Sequence, residues 1–341
     1  MNKKTKFMAA AIQAAPVYLD QEASTEKACT LIEEASKKGA ELIALPEVFI
    51  PGGPYWAWHM ALRNGIPFFV QLFDNSVEIP SEVTKRLGET AKKYKVYVVI
   101  GVNERDKKSL YNTLIFFNDQ GEIIGKHRKL KPTGAEKLVW GEGDGSTHRL
   151  YETPYGLLGG LICGEHTMSL PGFTLAAMGE QIHIAAWIGF GTADISLTEI
   201  CSRYYAIAYN TFVICTQSVI DQNIIDKVGL QQTLRKGNAW SAIIESGTGK
   251  VLAGPLPPEQ EGILCTEIDL QKAKEHYLLH ETTGHYWPKQ FRVLFDPEEL
   301  KPLNILHQPI GMSRRATESG QSELIEIPIS ESAAKNEEKK V

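Results

Sequence analysis

Three short runs in this chain of 341 residues hold the residue types that covalent catalysis needs. The first is "LLGGLICGEHTMSL", residues 157–170, where Cys163 stands at the point at which an apolar run gives way to polar residues. A thiol attacks well only as thiolate, and a strand turning into a helix places Cys163 near the positive end of a helix dipole. Gly164 lets the backbone bend sharply there and leaves its N–H free to meet a developing negative charge. A metal site of Cys163, Glu165 and His166 is a second reading, and a Cys–His dyad with His166 as base is a third. Both rank below a nucleophile served by a carboxylate from elsewhere. Side chains so close in one turn rarely converge, no second cysteine or HxxxH pair joins them, and His166, three residues on, is expected to point away from the sulfur. Cys29, Cys201, Cys215 and Cys265 each sit in an apolar helix or strand pattern and read as buried thiols.

The second run is "LIALPEVFIPGG", in which Glu47 ends an apolar strand. Desolvation raises the pKa of such a carboxylate, and a glutamate near neutral pKa can take a proton from a thiol and pass it on. The bland reading, a surface glutamate opening a loop, conflicts with the apolar residues on both sides. The third run is "KHRKLKPTGAEKLVWGEGDGS", with four basic residues between Lys126 and Lys131. Most of these read as a solvated basic face. Strand alternation, however, puts Lys129 on the face opposite Arg128 and Leu130, so one inward lysine is available to stabilise an anion.

The elements that must position these groups alternate between the two periodicities. Residues 6–13 read as a strand, 22–38 as an amphipathic helix with Ala28, Leu31, Ile32 and Ala35 on one face, and "AELIALPEVF" as a short strand. A second helix begins after Pro80 with Ser81 as N-cap, and "VYVVIGVNE" is a buried strand. A hairpin follows, turning at 118–121, and a matching unit, "WSAIIESGTGKVLAG", turns at 246–249. The strands "LLGGLIC" and "IHIAAW" bracket a helix near 169–180. "ADISLTEICSRYYAIAYN" is a further helix, "TFVICTQ" a strand, and "EGILCTEIDL" closes the folded region. The pattern implies an α/β fold with mixed sheets and outer helices. Residues 1–300 read as one catalytic domain and 301–341 as a tail, partly disordered or concerned with assembly.

Bulk composition excludes several classes. Hydrophobic residues are 43%, charged residues 23% and net charge is −5, which gives no electrostatic basis for nucleic acid or an anionic membrane as partner. No apolar segment approaches the ~20 residues of a membrane span. The basic and apolar start "MNKKTKFMAAAIQAA" imitates an export signal, but Gln13 interrupts it and it reads as a first core strand. Five cysteines, none in a CxxC pair, fit reduced thiols and a cytoplasmic protein.

Taken together, "LPEVF", "HRKLKPT" and "GGLICGEH" resemble, in order and spacing, the Glu-Lys-Cys motifs of the nitrilase superfamily of carbon-nitrogen hydrolases. The resemblance runs from about residue 7 to residue 291. It implies a four-layer α-β-β-α sandwich with Glu47, Lys129 and Cys163 as catalytic triad. "FIPGGPYWAW", "NERDKKSLYNTLIFF", "KPTGAEKLVWGEGDG" and "GEQIHIAAW" are similar to the nitrilase branch, where a second glutamate, here Glu136, supports the lysine. The implied reaction is hydrolysis of an organic nitrile to carboxylic acid and ammonia through a cysteine thioimidate and thioester, with no cofactor and no metal. Amidase or cyanide-hydrolysing activity, and a catalytically silent assembly protein, are the alternatives. Tyr55, Trp56, Gly164, His166 and Trp187 are the expected substrate-binding residues. Members assemble as dimers and then spirals or filaments, so a homo-oligomer is expected. The chain departs from many members at Gly164 (commonly Trp), His166 (Asn), Gly53 (Tyr) and, after Gly284-His285-Tyr286, at Trp287-Pro288-Lys289 (Arg-Pro-Asp).

Overall fold

A strand covered on both faces needs an unbroken apolar run, and Ala9 to Gln13 are all fully buried in β1 (Lys6–Gln13). The computed structural model describes residues 4–189, 196–284, 286, 290, 293–298 and 325–326. Helix α1 (Gln21–Lys37) starts where the Asp20 carboxylate accepts the Ala23 N–H, and it buries Ala28, Ile32 and Ala35 as the periodicity predicts. Strand β2 is shorter than the apolar run suggests, Leu42–Ala44 only. Pro46 has no N–H for a ladder, and Val48 takes a positive φ of 42°, so the chain turns before and after Glu47.

Helix α2 (Leu62–Asp74) was not legible in the sequence: Pro67 lies inside it, and apolar residues stand both on its exposed side, at Leu62, Ile66 and Val70, and on its packed side, at Phe68, Phe69 and Leu72. Helix α3 (Glu82–Tyr94) has the expected Ser81 cap. The strands β3 (Tyr97–Asp106), β4 (Ser109–Phe117) and β5 (Ile123–Arg128) then run antiparallel in sequence, β4 and β5 forming the first hairpin.

The second half begins with β6 (Tyr151–Thr153) and β7 (Gly156–Ile162), followed by α4 (Ser169–Ala177), β8 (Ile182–Trp187), α5 (Ser196–Ala208) and β9 (Phe212–Gln217). A short helix α6 (Gln222–Val228), the second hairpin β10 (Ala242–Ile244) and β11 (Val251–Ala253), and β12 (Gly262–Asp269) complete it. Helix α7 (Ala273–His280) lies beyond the segment expected to close the fold. Of the tail, Ile325–Glu326 pairs with Leu294–Phe295. The rest of residues 301–341, and most of the Gly284–Lys289 motif, lie outside the described residues.

The strands form two six-stranded mixed sheets, ordered β12-β1-β2-β3-β4-β5 and β11-β10-β9-β8-β7-β6. Both repeat one pattern: from β12 to β5, and from β6 to β11, successive pairs are antiparallel, parallel, parallel, antiparallel, antiparallel. Alternation divides the side chains of the first sheet. Ala9, Ala11, Leu42, Val99, Leu114 and Phe116 face the other sheet in a shared core, while Ala10, Ile12, Ile43, Val98 and Ile115 pack with Ile32 of α1 and Leu87 of α3. Cys201, Tyr205 and Ala206 of α5 cover the second sheet from its far side. The layers are helix, sheet, sheet, helix, as the family resemblance implies.

Candidate active site

Three loops at strand ends bring Glu47, Lys129 and Cys163 into one buried region. Glu47 follows β2, and its turn lies so close to β3 that a Cβ on Gly101 would sit 2.6 Å from the Glu47 Cα. Lys129 directly follows β5, and the burial pattern alternates as expected: His127 and Lys129 are buried, Arg128 is not. Arg128 and Lys126 instead pair with Glu104, and Arg128 also with Asp106, so that part of the basic run is neutralised at the edge of the sheet. The Lys129 ammonium donates to Glu47 Oε1 at 2.9 Å and to Glu136 Oε2 at 2.8 Å. Glu136 sits in a 3₁₀ turn (Gly134–Leu138) and also accepts the Thr133 N–H at 2.7 Å.

Asn112 completes the group and escaped sequence reasoning: its amide donates to Glu47 Oε1 at 2.7 Å. It lies across from Lys129 on β4, whose N–H bonds the Asn112 carbonyl. The signal was a polar residue in phase with the inward apolar positions Leu110, Leu114 and Phe116. With Oε1 taken by Lys129 and Asn112, the buried Glu47 Oε2 has no hydrogen-bond partner among the described residues, which leaves it free to take a proton.

Cys163 follows β7 in the left-handed region, with φ of 49°, a conformation that costs a residue with a Cβ on the order of 1 kcal/mol. The dipole expectation is corrected here. Cys163 opens a 3₁₀ turn (Cys163–Thr167), and α4 starts six residues later. The groups that stabilise a sulfur anion are instead the Gly164 N–H and Lys129. A Cβ on Gly164 would lie 2.7 Å from Thr133 Oγ1, so a side chain there requires Thr133 to shift.

Charge and burial shift all three groups. Burial, and then the Glu47 charge, push the Cys163 thiol well above its ordinary pKa. Burial raises the Glu47 carboxyl, against the attraction of Lys129. Burial would lower the Lys129 ammonium, but Glu47, Cys163 and Glu136 together hold it well above its usual value. Burial thus favours the neutral Cys163 thiol, while its acidic neighbours keep the Lys129 ammonium charged.

The turn after Cys163 is held from two sides. Glu165 accepts the Ile162 N–H and the Leu130 N–H, each at 2.7 Å, and bonds His127 Nε2 at 2.9 Å. Burial pushes its carboxyl up, but His127 and these N–H groups hold it at about 2. It thus ties the neighbour of Lys129 to the neighbour of Cys163. His166 points the other way: its Nδ1 is 2.9 Å from the Cys163 carbonyl oxygen and its Nε2 3.0 Å from His183. Cys163, Glu165 and His166 therefore do not converge on an ion, and His166 faces the carbonyl of Cys163 rather than its sulfur.

A cavity of about 170 Å³ opens onto Cys163 and Glu136, lined also by Tyr55, Trp58, His59, Thr133, Ile188 and Leu234. Of the expected contacts, Tyr55 is in this wall. Trp56 is not: it stacks on Phe68 at 5.6 Å between centroids. Tyr55–Trp58 is a single 3₁₀ turn, whose period of three puts residues 55 and 58 on one side and 56 on another. That period was the missed signal for Trp58. Trp187 is fully buried and stacks on His166, and neither reaches the wall. Gly53 shapes it indirectly, because Ile188 fills the space that a side chain at 53 would need, 2.0 Å from its Cβ position.

Comparison with known proteins gives the family. The chain is 40% identical over 327 residues to a nitrilase of Bacillus sp. (strain OxB-1), covering 93% of this chain and 95% of that protein. It is 36% identical over 314 residues to an aliphatic nitrilase of Rhodococcus rhodochrous, covering 87% and 85%. Its fold matches the crystal structure of Nit3 from Saccharomyces cerevisiae, a member of branch 10 of the nitrilase superfamily, with a TM-score of 0.67 at 23% identity over 84% of this chain and 99% of that one. The carbon-nitrogen hydrolase family pattern matches residues 8–276, and the chain belongs to that family.

Proposed function

We infer that this carbon-nitrogen hydrolase is a nitrilase that converts an organic nitrile to its carboxylic acid and ammonia. The observation that carries the reading is the buried Lys129 ammonium clamped between Glu47 and Glu136 beside a cysteine whose cavity opens to substrate. The relatives at 36–40% identity that bear the name nitrilase support it over the amidase, cyanide-hydrolysing and silent-scaffold alternatives.

In this reading Glu47 Oε2 takes the Cys163 proton as sulfur adds to the nitrile carbon, forming the C–S bond of a thioimidate. Lys129 and the Gly164 N–H stabilise the charge that grows on nitrogen and sulfur. Glu47 returns its proton to nitrogen and then activates water, ammonia leaves, and an acyl thioester remains. A second water, deprotonated by Glu47, releases the acid and restores the thiol. Glu136 and Asn112 hold Lys129 and Glu47 in register. Tyr55, Trp58, Ile188 and Leu234 supply the apolar wall for the nitrile's organic part.

The test is ammonia release across aliphatic, arylacetic and aromatic nitriles, with amide measured beside acid. Turnover of amides but no nitrile would overturn the reading. For the best nitrile, kcat/KM is expected to fall on the acid side. Glu47 must be a carboxylate to act, and burial sets its pKa above 4.5, so activity is lost as pH falls through that raised value. An acid limb at or below 4.5 would remove Glu47 as base.

The same reading extends to residues 1–300 as the catalytic unit, 301–341 as a segment for assembly, and a cytoplasmic enzyme with reduced thiols. Five free cysteines support the last, and among the described residues no helix is long and apolar enough to cross a membrane. A homo-oligomer fits the outer face of α5, where Leu197, Ile200, Tyr204 and Ile207 are exposed at helical spacing, a stripe that a second copy would cover. Sedimentation of wild type is expected to show a dimer or larger species that Ile200→Glu shifts toward monomer. A wild-type monomer would refute it.

A further inference from the structure

Behind the nucleophile turn lies a line of ionisable side chains that the reaction above does not use. From the Cys163 carbonyl oxygen it runs to His166 Nδ1 (2.9 Å), then from His166 Nε2 to His183 Nε2 (3.0 Å), and from His183 Nδ1 to Glu180 Oε1 (2.8 Å). The Tyr205 hydroxyl donates to Glu180 Oε2 at 2.6 Å, and its ring stacks on His183 at 3.7 Å. All four side chains are buried, His183 at 0% exposure. The fold makes room for the carboxyl group: a Cβ on Gly159 of β7 would lie 2.0 Å from Glu180 Oε1.

Donor and acceptor roles fix where the protons sit. A carbonyl oxygen only accepts, so His166 Nδ1 carries hydrogen. Neutral His166 then presents a lone pair at Nε2, and the hydrogen of that bond belongs to His183 Nε2. Neutral His183 in turn presents a lone pair at Nδ1, so Glu180 Oε1 must donate to it. The other arrangements pass one proton along the line and leave a carboxylate and an imidazolium in a buried site, which desolvation opposes. Burial indeed lifts the Glu180 carboxyl well above the usual carboxylate range and drops His183 well below its ordinary value. Burial, then His183, brings His166 down to about 3.

We propose that protonated Glu180, with neutral His183 and His166, forms a positioning relay that grips the Cys163 carbonyl and so holds the nucleophile in its left-handed conformation. The proposal rests on the reading of Cys163 as nucleophile. Its reach is the backbone of residue 163, not the substrate, because neither Glu180 nor His183 lines the cavity.

Two substitutions and one spectrum test it. In Glu180→Gln the amide can donate to His183 and accept from Tyr205, so the relay persists and kcat stays near wild type. Glu180→Leu can do neither, and kcat is expected to fall about 100-fold, the scale of an ångström misplacement, with KM nearly unchanged because the cavity wall is intact. Histidine 15N NMR of wild type at pH 7 is expected to show His166 with hydrogen on Nδ1 only and His183 with hydrogen on Nε2 only. A doubly protonated His183, an unchanged kcat in Glu180→Leu, or equal losses in both variants would overturn the relay. If the leucine variant does not fold, the glutamine variant and the spectrum still decide. The spectrum does not depend on turnover, so failure of the nucleophile reading, seen as activity in Cys163→Ala, is distinguishable from failure of the relay.

Discussion

Replacing Cys163 by alanine is expected to reduce ammonia release by on the order of 10⁴- to 10⁶-fold, the scale of losing a covalent nucleophile. Sulfur is the only atom of the site that forms a bond to substrate carbon in the proposed reaction. Lys129, Glu47 and the Gly164 N–H remain, but they stabilise charge that no longer develops. The fold should survive, because alanine fits the same buried position and leaves the carbonyl of residue 163 bonded to His166. Intact-mass analysis completes the experiment. A slowly turned-over nitrile should add mass to wild type and none to the variant. Retained nitrile hydrolysis, or an adduct on another cysteine, would show that the nucleophile lies elsewhere.

Lys129→Met should damage stability and activity at once. The ammonium is the shared partner of two buried carboxylates, Glu47 and Glu136. Removing one member of a buried ionic group costs about 3–5 kcal/mol, because the remaining charges stay desolvated. The sign for Glu47 follows directly. Burial raises its pKa and Lys129 lowers it, so without the lysine the carboxyl rises further and a larger share of it is protonated at a given pH. A protonated Glu47 cannot accept from Cys163, and a further loss of about 10²- to 10⁴-fold in kcat is expected. Urea unfolding and ammonia assays read the two effects separately. Adding Glu136→Gln to Lys129→Met should recover part of the stability and none of the activity. Unfolding free energy unchanged within about 0.5 kcal/mol in the single variant would show that the three charges are not coupled as described.

The parts of the site legible in the sequence are those that strand geometry alone dictates. Period-two alternation singled out Lys129 from its basic neighbours, and a carboxylate at the end of an apolar run singled out Glu47. Groups fixed by contacts between distant segments were not legible. Asn112 matters because β4 pairs with β5 in a register that sets it opposite Lys129. Trp58 lines the cavity because residues 55–58 form a 3₁₀ turn, which no α or β periodicity announces. The helix expected after Cys163 is real, but a tight turn precedes it, and the Gly164 N–H and the Lys129 ammonium take over the role assigned to its dipole. At the level of the fold, long periodic elements such as α1 and α3 were read within a residue or two. Helix α2 was lost because Pro67 interrupts it and its apolar residues lie on both its exposed and its packed sides.

The return of β12 to the edge of β1 carries a consequence for synthesis. The two strands pair over their full length, Lys6 with Asp269 through Gln13 with Gly262. On the ribosome the first strand made therefore waits for nearly the last, its open backbone ready to pair with any passing chain. Nascent molecules that end before Gly262 keep that edge bare, so premature termination should yield aggregates rather than a smaller working enzyme.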